Sequence, residues 1–342
     1  MSGRSTLRNL LEYIPARVLS SIVQCFPEQR NMATCSMVAR AYAKISHRHF
    51  QRAYDNLSAA FPDQSHEWKQ KVSLESIEHL FQVAAVDALA MGRLIRPHTW
   101  HRHLDLSPAK KALPLLTSDR PVIMLTGHCG NWELLGYGLS VVGYPMAALA
   151  RPLDNPFLNR WLLGIREAWG LEVLTKWGAS PRMQEILSEG GRLGFIADQN
   201  AGDQGMFVPF FGRLASAYKS IGLLAMRFET PVIVAMARRR SQAVDYEVVI
   251  GDIIEPCEWQ DADDPLFYLT ARYTRALETL VSACPSQYLW IHRRWKSRPR
   301  HVMRGRPMPE SMAQRIHSLP WLTDDEAECL IEDSNREAAH AL

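Results

Sequence analysis

The run Thr126-Gly-His-Cys-Gly-Asn-Trp-Glu133 holds the residue types of acid–base chemistry, with His128 and Glu133 five positions apart. Where a strand gives way to a helix, the imidazole can face a crevice while the carboxylate folds back towards its second nitrogen. A carboxylate so placed fixes the tautomer and stabilises the imidazolium formed on proton uptake, as a general base acting on an alcohol requires. Spacing alone does not separate this arrangement from a histidine satisfied within a core. With 12 histidines and 36 acidic residues among 342, a match at this spacing arises about once by chance. No metal is expected, because same-face helical ligands need a spacing of about three or four and no second His–acid cluster accompanies this one. Cys129, beside the histidine, is a second candidate nucleophile, since a thiol at a helix start can be activated.

The surrounding texture suits that placement. Pro121–Thr126 is a short apolar run bounded by Pro and Gly, the pattern of a buried strand, and Trp132–Val142 reads as the helix after it. The alternation recurs, with strands at Pro145–Ala150, Gly194–Ala197, Pro231–Met236 and Tyr246–Ile250. Helices are expected at Pro156–Trp169, Ala217–Phe228 and Pro265–Cys284. Such alternation predicts an α/β core with a mostly parallel central sheet flanked by helices, and ligands at the strand ends. Ser65–Met91, with Leu74, Ile77, Leu80, Phe81, Ala84 and Ala88 at helical spacing, belongs to a helical N-terminal region. The expected division is 1–95 helical region, 96–306 α/β core and 307–342 polar, peripheral tail.

Composition narrows the classes further. At 47% hydrophobic and 22% charged, the chain can bury a large core, which excludes a disordered protein or a disulfide-stapled miniprotein. The net charge of +3 is too balanced for a nucleic-acid binder. Six scattered cysteines without a C-x-x-C pair read as reduced thiols. No signal peptide is recognised, and the uncharged stretch Val18–Pro27 is too short to span a bilayer. Within 10–26, however, Leu11, Ile14, Val18, Leu19, Ile22, Val23 and Phe26 form a helical stripe with Arg4, Arg8 and Arg17 nearby. That helix either lies in a membrane interface or docks on the protein's own core.

Several blocks, in order, resemble the bacterial lipid A late acyltransferases, within the wider His-x4-Asp/Glu glycerolipid acyltransferase superfamily. They are Asn56-Leu57 with Phe61-Pro62; Gly127–Gly136; Arg151–Pro156 with Arg166; Ile196–Gln199 with Phe207–Gly212; and Pro285–Pro299. The resemblance runs from about residue 50 to 300. It implies a single glycerolipid-acyltransferase-like domain whose His128 takes the proton of an acceptor hydroxyl, with Glu133 orienting it. Direct attack on an acyl thioester then leaves no nucleophilic task for Cys129. Arg166 is expected to stabilise charge near the reacting carbonyl or a substrate phosphate, with Asp198 holding that arginine. A structural salt bridge between those two and a loop-capping Arg151 are the plainer readings.

No cofactor is implied. The expected partners are an acyl carrier protein (or acyl-CoA) as donor, a membrane glycolipid such as a lipid A precursor as acceptor, and the membrane surface, with no nucleic acid. The basic run Arg293, Arg294, Lys296, Arg298, Arg300, Arg304 and Arg306, without one acid, offers a surface for lipid or carrier, or simply a solvated face. A peripheral position on the cytoplasmic face of the inner membrane follows. Other acceptors, a lysophospholipid or a phosphatidylinositol mannoside, and a non-catalytic membrane scaffold remain the alternatives.

Overall fold

Five helices open the chain: α1 (Thr6–Cys25), α2 (Glu28–Ile45), α3 (His47–Ala60), α4 (His66–Gln82) and, after a π-helical turn at Val83–Asp87, α5 (Ala88–Leu94). They belong to a computed structural model that describes residues 6–175 and 178–340, so Arg4 of the expected basic cluster lies outside the described residues. Helix α1 continues through Pro15. Its small polar residues, Asn9 and Ser20, face the body of the protein, and Asn155 donates to the Asn9 carbonyl at 2.9 Å. The apolar stripe therefore points outward: Leu7, Leu11, Ile14, Val18, Leu19, Ile22 and Phe26 are each about half exposed or more. The helix itself packs on α5 and α8 through its other face, leaving these stripe residues outside the protein's core. No helix among the described residues is long and apolar enough to cross a membrane.

The α/β core follows as β1 (Leu104–Asp105), α6 (Leu113–Leu116), β2 (Val122–Thr126), α7 (Trp132–Val141), β3 (Met146–Ala150), α8 (Pro156–Arg166), β4 (Leu171–Thr175), α9 (Ala179–Ser188) and β5 (Arg192–Ile196). It continues with β6 (Met206–Phe210), β7 (Arg213–Ala217), α10 (Lys219–Arg227), β8 (Val232–Arg239), β9 (Tyr246–Ile254) and α11 (Pro265–Ala283). Seven strands form one sheet in the order β1-β9-β8-β2-β5-β3-β4, parallel throughout except for the β8–β9 pair. Strand β2 is buried on both faces, as a central parallel strand must be. Its alternate residues serve two layers. Ile123 and Leu125 join Val232, Val234 and the α9–α11 side, while Val122 and Met124 join Ile233, Ala235 and the α7 side.

Helix starts follow local chemistry. The Asn131 Oδ1 accepts from the Leu134 amide at 2.9 Å to cap α7, and Asn155 caps α8 ahead of Pro156. Strands β6 and β7 form a separate hairpin that the sequence did not suggest. Pro209 lies within it, and its two-residue turn uses Phe211 at φ 51° before Gly212 at φ 64°. The Glu278 carboxylate holds this turn by accepting from the Phe211 amide at 2.7 Å.

The stretch expected as a polar tail is instead packed. After α12 (Arg300–Met303), the helices α13 (Glu310–His317) and α14 (Asp324–Ala339) bury Ile316, Leu319, Ala327 and Leu330 against the hairpin and α11. Their polar composition belongs to the outer face, and a narrow apolar stripe suffices for docking.

Candidate active site

Register places the central pair. Thr126 at the end of β2 is directly partnered with Ile196 at the end of β5, so the residues two positions beyond each strand, His128 and Asp198, emerge side by side. His128 Nδ1 lies 2.8 Å from Asp198 Oδ1. Burial disfavours the imidazolium, but the carboxylate against Nδ1 and the more distant Glu133 outweigh it, so His128 titrates above its ordinary value. Burial likewise opposes ionisation of Asp198, yet its contacts with His128 and the nearby Arg294 charge hold it below the ordinary carboxylate range. With Nδ1–H donated to Asp198, the Nε2 lone pair faces outward, 3.4 Å from the Gln199 amide nitrogen. The Trp132 ring flanks the imidazole at 5.0 Å between centroids.

The loop carrying His128 is clamped from three sides. Gly130 donates to the Gln287 carbonyl at 2.9 Å, Asn131 donates to the Ala237 carbonyl at 2.8 Å, and Leu289 donates to the His128 carbonyl at 3.0 Å. The buried His79 ring meets the Gly130 carbonyl at 2.9 Å. Burial first, then the Arg239 charge, keeps that ring neutral down to about pH 3. Gly130 is required here: its φ is +57°, and a Cβ would lie 2.1 Å from the Ala237 carbonyl oxygen. Asn56 ties down the closing block by donating to the Trp290 and His292 carbonyls, each at 2.7 Å.

Glu133 does not orient His128, as the spacing suggested. It accepts a two-pronged contact from Arg166, with Nε to Oε2 at 2.8 Å and Nη2 to Oε1 at 2.6 Å. The expected Asp198–Arg166 contact is therefore also replaced. The carboxylates have exchanged partners because Glu133 sits in the first turn of α7, facing the end of α8, whereas Asp198 follows the strand beside β2. Arg151 is 76% exposed in the loop after β3 and pairs with Asp154 at 3.3 Å, the plainer of its two readings. Cys129 is fully buried, and burial drives its thiol far above the usual range.

The basic run divides. Arg293 and Lys296 are exposed. Arg294 is only 2% exposed, donating to the Ser216 carbonyl at 2.5 Å and lying 5.1 Å from the Phe210 ring centre. Arg298 turns inward to the Leu214 carbonyl at 2.7 Å and to Glu337 on α14. These two are corrections to the expected continuous surface: the polypeptide turns back on itself here, so neighbouring side chains point to opposite sides.

Residues not singled out from the sequence include His79, Gln199, Gln287 and His292, the last accepting from the Asn200 amide at 3.2 Å. His79 shares the buried side of α4 with Ser73, Ser76 and Gln82 as well as Val72 and Ile77, a mixed face on which one histidine does not stand out. Gln287 and His292 lay within a recognised block, but nothing local revealed what they face.

Two apolar chambers adjoin the site. One lies over the sheet between α7 and β3–β4; the other lies between α1, α5 and α8. Trp132, Glu133 and Arg166 line both.

A model of the bacterial lipid A biosynthesis acyltransferase family matches residues 4–297. The chain is 24% identical over 254 residues to a lipid A biosynthesis acyltransferase of Haemophilus influenzae, covering 70% of this chain and 73% of that one. It is 23% identical to the lipid A biosynthesis lauroyltransferase of Escherichia coli, covering 76% and 81%. With that bacterium's lipid A biosynthesis palmitoleoyltransferase it shares 26% identity, covering 72% and 78%. The chain thus belongs to the bacterial lipid A biosynthesis acyltransferase family and is an acyltransferase.

Proposed function

We propose that the enzyme moves a fatty acyl group from a thioester, carried by acyl carrier protein or coenzyme A, to a hydroxyl of a lipid A precursor, with His128 as general base and Asp198 as its orienting partner. The observation that carries this is the contact of His128 Nδ1 with the buried Asp198 carboxylate, with Trp132 of an adjoining apolar chamber flanking the ring. In the reaction, His128 Nε2 accepts the proton of the acceptor hydroxyl as its oxygen attacks the thioester carbonyl. A carbon–oxygen bond forms, the carbon–sulfur bond breaks, and the imidazolium returns the proton to the leaving thiolate. The inertness of the buried Cys129 favours this direct route over a covalent acyl-enzyme.

Arg166, held in two places by Glu133, presents a fixed positive charge beside the dyad. It stabilises the oxyanion or a phosphate of the acceptor. Exposed Arg293 and Lys296, with Arg48 and Arg52 on α3, form the field for an anionic donor or head group. The outward stripe of α1 supports attachment to a membrane surface, and the use of thioester donors supports the cytoplasmic face of the inner membrane.

The test is mass spectrometry of lipid extracts from cells with the gene deleted, restored, and restored as His128→Ala. A lipid A species one acyl chain short in the deletion and in His128→Ala, completed by the wild-type gene, is expected. No mass change in any of the three overturns the assignment.

A further inference from the structure

We infer that Trp132, Glu133 and Arg166 divide two lipid chains, the transferred chain lying in the chamber over the sheet and a chain already on the acceptor lying in the chamber walled by α1. This rests on the acyl-transfer reading above. The three side chains line both chambers, and Trp132 also flanks the His128 ring, so both chambers meet one turn of helix from the proposed base.

The sheet-side chamber suits the transferred chain. Its charged lining groups are Glu133 and Arg166, and apart from Thr126 the rest is apolar, including Leu135, Met146, Leu171 and Phe195. Gly136 stands one helical turn beyond Glu133, so it faces the same space deeper in. A Cβ there would meet the Leu171 methyls at 3.6 and 3.7 Å and the Met146 sulfur at 3.9 Å, ordinary contacts with residues that line the chamber, so a larger side chain would take up space beside them. At the floor the Met146 methyl lies over Gly194, where a Cβ would be 2.6 Å away. Gly136 and Met146 therefore limit how long a chain can lie there while its carbonyl remains at His128.

The second chamber suits the acceptor. It is walled by Ala16 and Leu19 of α1, Ala88 and Leu89 of α5, and Trp161 and Ile165 of α8. Leu19 belongs to both the chamber wall and the exposed apolar stripe, so the chamber's rim on α1 is continuous with that stripe. An amphiphile resting in the same apolar phase as that stripe can pass one chain between α1 and α8 while its hydroxyl reaches His128.

The experiment uses the purified full chain, a lipid A precursor in detergent micelles and a ladder of saturated acyl-CoA thioesters from short to long. Gly136→Leu is expected to move the preferred donor about two carbons shorter, with about fourfold discrimination for each methylene left unburied. Met146→Ala is expected to move the preference longer. Ala88→Leu is expected to raise the KM for the acceptor several-fold without moving the donor ladder. A donor ladder unmoved by both Gly136→Leu and Met146→Ala, in proteins that melt normally, overturns the chamber assignment, as does a ladder shifted by Ala88→Leu. A wild-type protein that transfers from no donor overturns the acyl-transfer reading itself, a result distinguishable from the first.

Discussion

The His128 ring binds its proton through a balance of opposed effects. Desolvation lowers its affinity and the paired carboxylate raises it, with the carboxylate prevailing. Only neutral imidazole accepts a proton, so kcat/KM should rise with pH through a midpoint above the ordinary histidine value of about 6.5. Asp198→Asn removes the prevailing contribution while leaving the desolvation. The midpoint should then fall below that of the wild type, and kcat should drop by about a hundredfold or more. Glu133→Gln acts elsewhere: it releases Arg166, so activity should fall with a much smaller displacement of the midpoint. A pH profile of the two variants checks both; equal displacement would return the orienting role to Glu133. The assignment of partners was not legible in the sequence. Two carboxylates, Glu133 and Asp198, and two cationic partners, His128 and Arg166, were all recognised, but which pairs form depends on strand order and helix direction.

At the scale of elements, the β2–loop–α7 unit is specified by short-range signals that agree with one another. An apolar run ends at Thr126, Gly130 turns the chain through a positive φ, and Asn131 caps the next helix. Gly130→Ala places a Cβ against the Ala237 carbonyl in a left-handed backbone, and should cost at least about 2 kcal/mol in urea unfolding along with activity. The strands β2 and β8 were legible because they are continuous apolar runs buried along nearly all their length, and β3, β5 and β9 as short apolar runs in partly buried strands. By contrast, β4 carries Glu172 on an edge, and the β6–β7 hairpin contains Pro209 and turns on Phe211. These local signals obscure all three strands; β4 is held by its pairing with β3, and the hairpin turn by Glu278, far along the chain, which accepts from the Phe211 amide.

Across the whole molecule, the packed C-terminal helices bind the closing block from behind. Glu337 receives Arg213 at 2.5 Å and also Arg298, while His301 meets Ser334 at 2.8 Å. Of the basic run, Arg298 is thereby committed to an internal contact, as Arg294 is through the Ser216 carbonyl, while Arg293 and Lys296 stay at the surface. On the opposite flank, the α1 stripe is solvent-facing and carries no core burden. Ile14→Glu with Val18→Glu should therefore leave the melting temperature nearly unchanged, as surface changes within about 0.5 kcal/mol do. The same pair should sharply reduce flotation with anionic vesicles. Unchanged flotation would assign membrane attachment to another surface.

The sequence by itself determined the fold class, the strand–helix alternation and the identity of the residues able to do chemistry, because each rests on periodicity, capping and residue type within a few positions. Family resemblance added His128, Arg166 and Asp198 as a group. Only the tertiary structure decided which carboxylate meets the histidine, which arginines of the basic run are buried, that α1 turns its apolar side outward, and that the polar C-terminus packs. Each of these depends on which segments, far apart in the chain, come to share a strand register or a helix face. Contacts of that kind form when the sheet assembles, as Thr126 and Ile196 show by bringing His128 and Asp198 together across 70 residues.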